Sequence, residues 1–283
     1  MLLASVFILA ALGAVLLCVG TNAFAGLHFL WLLPVAFVVG FLVLAALAFG
    51  VFVLVCAFID PDKEYQQDSP RFRALVRTYL HALLTVLPIR LETRGLEKIP
   101  AEGRFLLVCN HLDNIDPAFL LHCFPKSQLA FVAKREAGSM FLVNKVMPKL
   151  LCQYINREND REALKTILKC ISLLKEDKVS IAIFPEGRIN SYRKLAHFRP
   201  GVFKIAQKAQ VPVVVCTLQN TNKAIGRLLK GKGTTIHLHL LDVIPAEALA
   251  GKQTTEIAER IYKMMAEDLG KENVLTPEEE EKA

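Results

Sequence analysis

No Asp, Glu, Lys or Arg precedes Asp60 in this chain. A stretch of that length with no charge cannot supply the solvated face of a water-soluble domain, so it needs an apolar surrounding. It divides into two apolar runs, residues 1–20 and 27–59, parted by the turn-prone residues Thr21 to Gly26. An α-helix rises ~1.5 Å per residue and a bilayer's hydrocarbon core is ~30 Å thick, so both runs are long enough to cross it. The second is too long to cross upright. Its helix is expected to begin near Trp31, with Pro34 in the first turn, and to tilt or end at the interface. Ala23-Phe24-Ala25 has the form of a signal-cleavage site, but the start lacks a basic residue and a second hydrophobic run follows at once. A helical hairpin is the better reading. The loop between the helices carries no Lys or Arg, whereas Lys63, Arg71, Arg73 and Arg77 follow the second helix, which puts both ends of the hairpin on the cytoplasmic side.

All of the formal charge of +7 therefore belongs to the remaining segment. A strongly basic domain behind a membrane anchor points to an anionic partner: a phospholipid surface, a phosphorylated substrate, an acidic carrier or nucleic acid. Nucleic acid is disfavoured, because the basic residues are not interleaved with aromatics. The seven cysteines are scattered, with no C-x-x-C pair and no zinc-like His spacing, so they read as reduced thiols of a cytosol-facing domain. Nothing in the sequence calls for a metal or a cofactor.

Residues 60–70 read as a polar linker. From Arg71 to Leu87 the residues Phe72, Leu75, Val76, Tyr79, Leu80, Leu83 and Leu84 form a helical stripe, with Arg73 and Arg77 off it. This helix either lies in the membrane interface or faces the core of the following domain. From Ile89 onward, short β-like runs (104–109, 129–133, 153–155, 179–184, 211–217, 236–243) alternate with helical segments (117–123, 161–175, 200–207). The alternation predicts an α/β fold with a largely parallel sheet flanked by helices, preceded by the hydrophobic hairpin. His237 and His239 alternate with aliphatic residues, the pattern of an edge or one-sided strand. The expected division is a membrane anchor over 1–59, linker and amphipathic helix over 60–88, an α/β domain over 89–270 and an acidic flexible tail over 271–283.

In open α/β sheets, ligands bind beyond the carboxyl ends of the strands. At one such end stand Asn110-His111 and Asp116-Pro117, with Asp116 expected as N-cap and Pro117 as first residue of the next helix. A His held by a carboxylate is a general base, since the carboxylate fixes its tautomer and supports the imidazolium. Phe184-Pro185-Glu186-Gly187-Arg188 ends a second apolar strand and Tyr154-Ile155-Asn156-Arg157 a third. A base, a carboxylate and several cations converging on one sheet edge suit a hydroxyl-bearing phosphate substrate, because Arg pairs with phosphate in two-pronged fashion. Lys134 and Arg135 could join that site or an acidic carrier, or simply be solvated. Cys109, two residues before His111, is a core cysteine rather than a nucleophile on this reading.

These four blocks, the last being Val211-Pro212-Val213, resemble in order and spacing those of the glycerolipid acyltransferase family, nearest to its 1-acyl-sn-glycerol-3-phosphate acyltransferase branch. The resemblance covers residues 91–218. It implies an O-acyltransferase in which His111 deprotonates an acceptor hydroxyl that attacks an acyl thioester, from acyl-CoA or acyl-carrier protein, while Asp116 orients His111. It also implies that Glu186, with Gly187, holds the acceptor's hydroxyl region and Arg157 its phosphate. Arg188 stands where the family usually has Thr, Ile189 where it has Arg, and Asn156 where it has Asp, so Arg188 is expected to stand in for the missing cation. The acceptor stays open between 1-acylglycerol 3-phosphate, glycerol 3-phosphate and another lysophospholipid. A non-catalytic lipid-binding protein on the same fold is the rival of a different class.

Overall fold

The computed structural model describes residues 1–156 and 159–282. The charge-free stretch forms two antiparallel helices, α1 (Leu2–Gly20) and α2 (Phe29–Ala57). Ala10, Ala14 and Cys18 form the buried face of α1, and a Cβ built on Gly40 of α2 would sit 3.8 Å from the Ala10 backbone. Small side chains on one stripe let two apolar helices approach closely, the usual means of helix association where no water drives it. Both helices are long and apolar enough to cross a membrane. Helix α2 starts two residues before Trp31, its N-terminal turn closed by bonds from Leu30 N to Leu27 O and Leu32 N to His28 O. Pro34 thus lies in the second turn rather than the first, and the carbonyl of Leu30 loses its helical donor.

The amphipathic stretch is helix α3 (Pro70–Val86). Both of its faces have protein partners. Tyr79 stacks on Phe52 of α2 with ring centroids 4.7 Å apart, and its hydroxyl donates to Ala48 O at 2.8 Å. Arg73, which the stripe alone would leave toward lipid headgroups, is buried instead. Its guanidinium meets Asp68 at 2.8 Å, Leu129 O at 2.7 Å and Leu150 O at 3.3 Å, while Arg77 reaches Pro125 O. A cation can leave water only where donors and charge are matched, and these partners come from the linker and from the α/β domain.

That domain alternates β1 (Ile89–Arg94), β2 (Leu106–Cys109), α4 (Asp116–Cys123), β3 (Leu129–Lys134), α5 (Val143–Lys149), β4 (Gln153–Ile155), α6 (Asp160–Lys175), β5 (Ser180–Ile183), α7 (Lys204–Ala209), β6 (Val213–Gln219), α8 (Thr221–Leu228), β7 (Thr234–Ile244), α9 (Thr254–Leu269) and α10 (Pro277–Lys282). One seven-stranded sheet runs β1-β7-β6-β2-β5-β3-β4. Every pairing is parallel except β6 with β7. The central strands β2 and β5 are buried throughout, which is why they carry no alternation, whereas β7 alternates buried and half-buried residues. β7 is accordingly one-sided, and β1 covers its outer edge. The acidic C-terminal stretch forms α10, whose Glu279 pairs with Lys194 at 2.8 Å.

Candidate active site

Strands β2 and β5 are neighbours and parallel, so the loops that leave their carboxyl ends meet. The first loop carries Asn110 to Ile115, the second Phe184 to Arg199. Asn110 is fully buried; its amide donates to Leu218 O at 2.9 Å and accepts from Leu218 N at 2.7 Å. A side-chain amide has the same donor and acceptor pair as a peptide, so Asn110 extends the pairing with β6 after the backbone of β2 has turned away. That turn brings His111 over the sheet edge, where its ring stacks on Phe184 with centroids 4.0 Å apart.

His111 Nδ1 donates to Asp116 Oδ2 at 2.8 Å. The same oxygen accepts from Leu112 N at 2.7 Å and Asp113 N at 2.8 Å. Asp116 is the first residue of α4, not its N-cap: the cap position belongs to Ile115, and the carboxylate faces back to the preceding loop. The reason is the loop itself, whose two free amides and imidazole offer three donors where the helix start would offer fewer. Fixing Nδ1 leaves Nε2 as the nitrogen available to a ligand.

Glu186 closes the pair of loops from the other side. Oε1 accepts from His111 N at 2.7 Å and Oε2 from Ala196 N at 3.0 Å, and the residue is 5% exposed. In this structure these oxygens hold the backbone amides of His111 and Ala196. Gly187 takes φ +81°, the left-handed turn conformation that favours glycine, with the Arg199 side chain packed against its Cα. Arg193 adds a third strut, with Nη1 donating to Leu112 O at 2.6 Å and standing 3.6 Å from Asp113.

Burial pushes the Glu186 carboxyl up to about 8, against the pull of its two N–H donors and with Asp116 adding to the rise. An unfolded Glu titrates near ~4.3, so between roughly pH 4 and 8 the folded chain keeps a proton that the unfolded chain has lost. Its contribution to stability is complete below the unfolded value and lost as pH rises through the folded one. The unfolding midpoint in detergent is expected to fall as pH is raised from ~5 to ~8.5, with a flatter slope in Glu186→Gln. Equal slopes in the two proteins would assign the effect elsewhere. Cys109 lies wholly in the core, where burial raises its thiol well above the ordinary range, as a packed cysteine should behave.

His111 lines a cavity of about 580 Å³. Its walls are apolar, from Phe131, Leu142, Val146, Met147 and Leu150 among others, and Lys134, Gly187 and Arg188 line it too. Lys134 and Arg188 are exposed, so both can meet an anion at its mouth. Arg135 instead lies 3.7 Å from Glu162. Arg157 lies outside the described residues. Among the described residues no group of three or more His, Cys, Asp or Glu side chains could hold a metal ion. The structural parts of Asn110, Arg193 and Ala196 went unread in the sequence. Only Asn110 carries a signal there, as a polar residue closing a wholly apolar strand.

Residues 90–219 match the family model described as Acyltransferase. The 1-acyl-sn-glycerol-3-phosphate acyltransferase of Borreliella burgdorferi is 27% identical over 187 residues, which cover 65% of this chain and 74% of that protein. The human 1-acyl-sn-glycerol-3-phosphate acyltransferase alpha is 25% identical over 198 residues, 68% of each chain. The crystal structure of the 1-acyl-sn-glycerophosphate acyltransferase PlsC from Thermotoga maritima superposes with a TM-score of 0.60 at 23% identity, covering 78% of this chain and 88% of that one. At that identity the likeness speaks for the fold: a mostly parallel sheet flanked by helices. Over residues 90–219 this chain thus matches an acyltransferase domain, and the relatives it resembles are named 1-acyl-sn-glycerol-3-phosphate acyltransferases.

Proposed function

We propose that the protein transfers a fatty acyl group from acyl-CoA or an acyl-carrier protein to the free hydroxyl of 1-acylglycerol 3-phosphate, giving phosphatidic acid. One observation carries the reading: His111, its Nδ1 held by Asp116 at 2.8 Å, opens onto an apolar cavity of about 580 Å³. Nε2 takes the hydroxyl proton as the oxygen attacks the thioester carbonyl. The C–S bond then breaks, and the departing thiolate recovers the proton from the imidazolium, so no acyl-enzyme forms. Asp116 supports the transient cation. Glu186 keeps the His111 backbone in place, and the apolar cavity takes an acyl chain. Lys134 and Arg188 meet the acceptor phosphate at the cavity mouth, joined by Arg157 as the family resemblance implies. The N-terminal hairpin anchors the enzyme where its amphiphilic acceptor resides. The basic domain that follows it works beside anionic phospholipid on the cytoplasmic side, in keeping with the charges that follow α2.

Thiol release in detergent, measured with 1-acylglycerol 3-phosphate, glycerol 3-phosphate and a lysophospholipid lacking a phosphomonoester, tests the acceptor. Turnover is expected with the first and not the last. Arg188→Ala is expected to raise KM for the phosphomonoester by about tenfold with kcat little changed, the loss of one charge-assisted contact. An unchanged KM would remove Arg188 from the phosphate site.

A further inference from the structure

Between β3 and α5 the chain puts apolar residues on the outside: Met140 is 44% exposed and Phe141 74% exposed. An exposed Phe next to an exposed Met, beside an apolar cavity, is a surface that an apolar partner would cover. Three features of the surroundings say which. Met140 lines the His111 cavity while facing outward, which puts it on the rim. Leu142, also a wall residue, holds φ +61°, a conformation costly for a branched side chain, so this turn is held out by its surroundings. Lys145 Nζ donates to Ile59 O at 2.9 Å, which ties the first turns of α5 to the end of the hairpin, where Phe58 is 85% exposed. The helix that follows the rim is therefore tied to the end of the apolar hairpin.

We propose that residues 140–142 form a lip that inserts into the bilayer interface beside α2, and that acyl chains pass over it between the lipid phase and the His111 cavity. The proposal rests on the membrane-anchored acyltransferase reading above. The charges nearby fit a bilayer containing anionic lipid. Lys63, Arg71 and Lys149 line one surface groove together with Glu64 and Asp68, which pair with Lys169 and Arg73, and Lys63 and Lys149 both lie over the Tyr65 ring. An exposed apolar tip on a basic domain is how a protein segment engages the boundary between headgroups and acyl chains. A lip in that position also removes a cost, since a chain entering the cavity from lipid never crosses water.

Trp31 is the only tryptophan, so the double substitution Trp31→Phe, Phe141→Trp puts one fluorophore on the lip. The full chain is reconstituted into vesicles of phosphatidylcholine and phosphatidylglycerol, with plain or brominated acyl chains. Emission is expected to be blue-shifted and quenched at least ~twofold by the brominated lipid, as for a ring seated ~5–10 Å into the interface. Equal, water-like emission in both vesicles overturns the proposal and gives Phe141 to a protein partner. In Phe141→Asp, turnover of vesicle-borne acceptor is expected to fall about tenfold, while turnover of a short-chain acceptor in free solution stays within about twofold. Equal losses on both acceptors would also overturn it. The quenching readout needs no catalysis, so a wild type that releases no thiol would sink the proposed reaction without touching this result.

Discussion

Replacing His111 with alanine is expected to reduce thiol release by at least ~10²–10⁴-fold, with KM for either substrate changed far less. The size follows from the role. Without Nε2 no described group stands ready to take the acceptor proton, and an alcohol left with its proton is a poor nucleophile at neutral pH. Asp116→Asn is expected to fall by a comparable factor for a different reason. Oδ2 accepts three N–H bonds while Oδ1 is buried with no partner. An amide oxygen can take over the acceptor place, but it supplies no charge to hold the imidazolium. The Asn variant should therefore fold and bind, and fail in kcat. The two losses should not multiply in the double variant, since both residues serve one proton transfer. Turnover of His111→Ala within about threefold of wild type would end the general-base mechanism. A matched thermal midpoint guards against trivial unfolding, because the ring contributes to stability mainly through its stack on Phe184, worth ~0.5–1.5 kcal/mol.

Arg73→Leu is expected to give the largest loss of stability, about 3–5 kcal/mol. The pair it forms with Asp68 is buried at both ends, with side chains 5% and 7% exposed. Removing the cation leaves a carboxylate out of water with no counter-charge, and strips the donors from the carbonyls of Leu129 and Leu150. Leu129 opens β3 and Leu150 lines the cavity, so the effect reaches the walls of the site as well as α3. In detergent the unfolding midpoint should drop by roughly 10 °C, at ~2–4 °C per kcal/mol for a domain of this size. Asp68→Asn combined with Arg73→Leu should recover part of the drop, because no lone charge then remains buried. A midpoint within about 1 °C of wild type for the single variant would show that the linker and α3 contribute no stability to the domain.

Much of this was open to a reader of the sequence. Periodicity alone separates the hairpin from the α/β domain, because the need to bury backbone polar groups in lipid and the need to match a sheet's two buried faces leave different signatures. His111 and Asp116 are five apart in a loop after an apolar strand, and a loop is the one local geometry that lets them meet. What each group does once there was less legible. Glu186 sits in a motif that suggests contact with substrate, yet its oxygens bind two backbone amides, one of them 75 residues away in sequence. Arg73 has the spacing of a solvated cation, and nothing near it in sequence announces the carbonyls of Leu129 and Leu150.

The sequence by itself determined the charge-free hairpin, the largely parallel sheet and the pairing of His111 with Asp116, since each depends on residues close together in the chain and on the period of helix or strand. The tertiary structure alone decided that α3 docks on both the hairpin and the domain, and that Glu186 braces His111. It also decided that exposed Met140 lines the cavity of His111, next to exposed Phe141, and that α5 is tied to the foot of α2. These depend on which distant backbone groups are left without partners once the sheet has formed, and the order β1-β7-β6-β2-β5-β3-β4 sets that, because it alone brings the ends of β2 and β5 side by side.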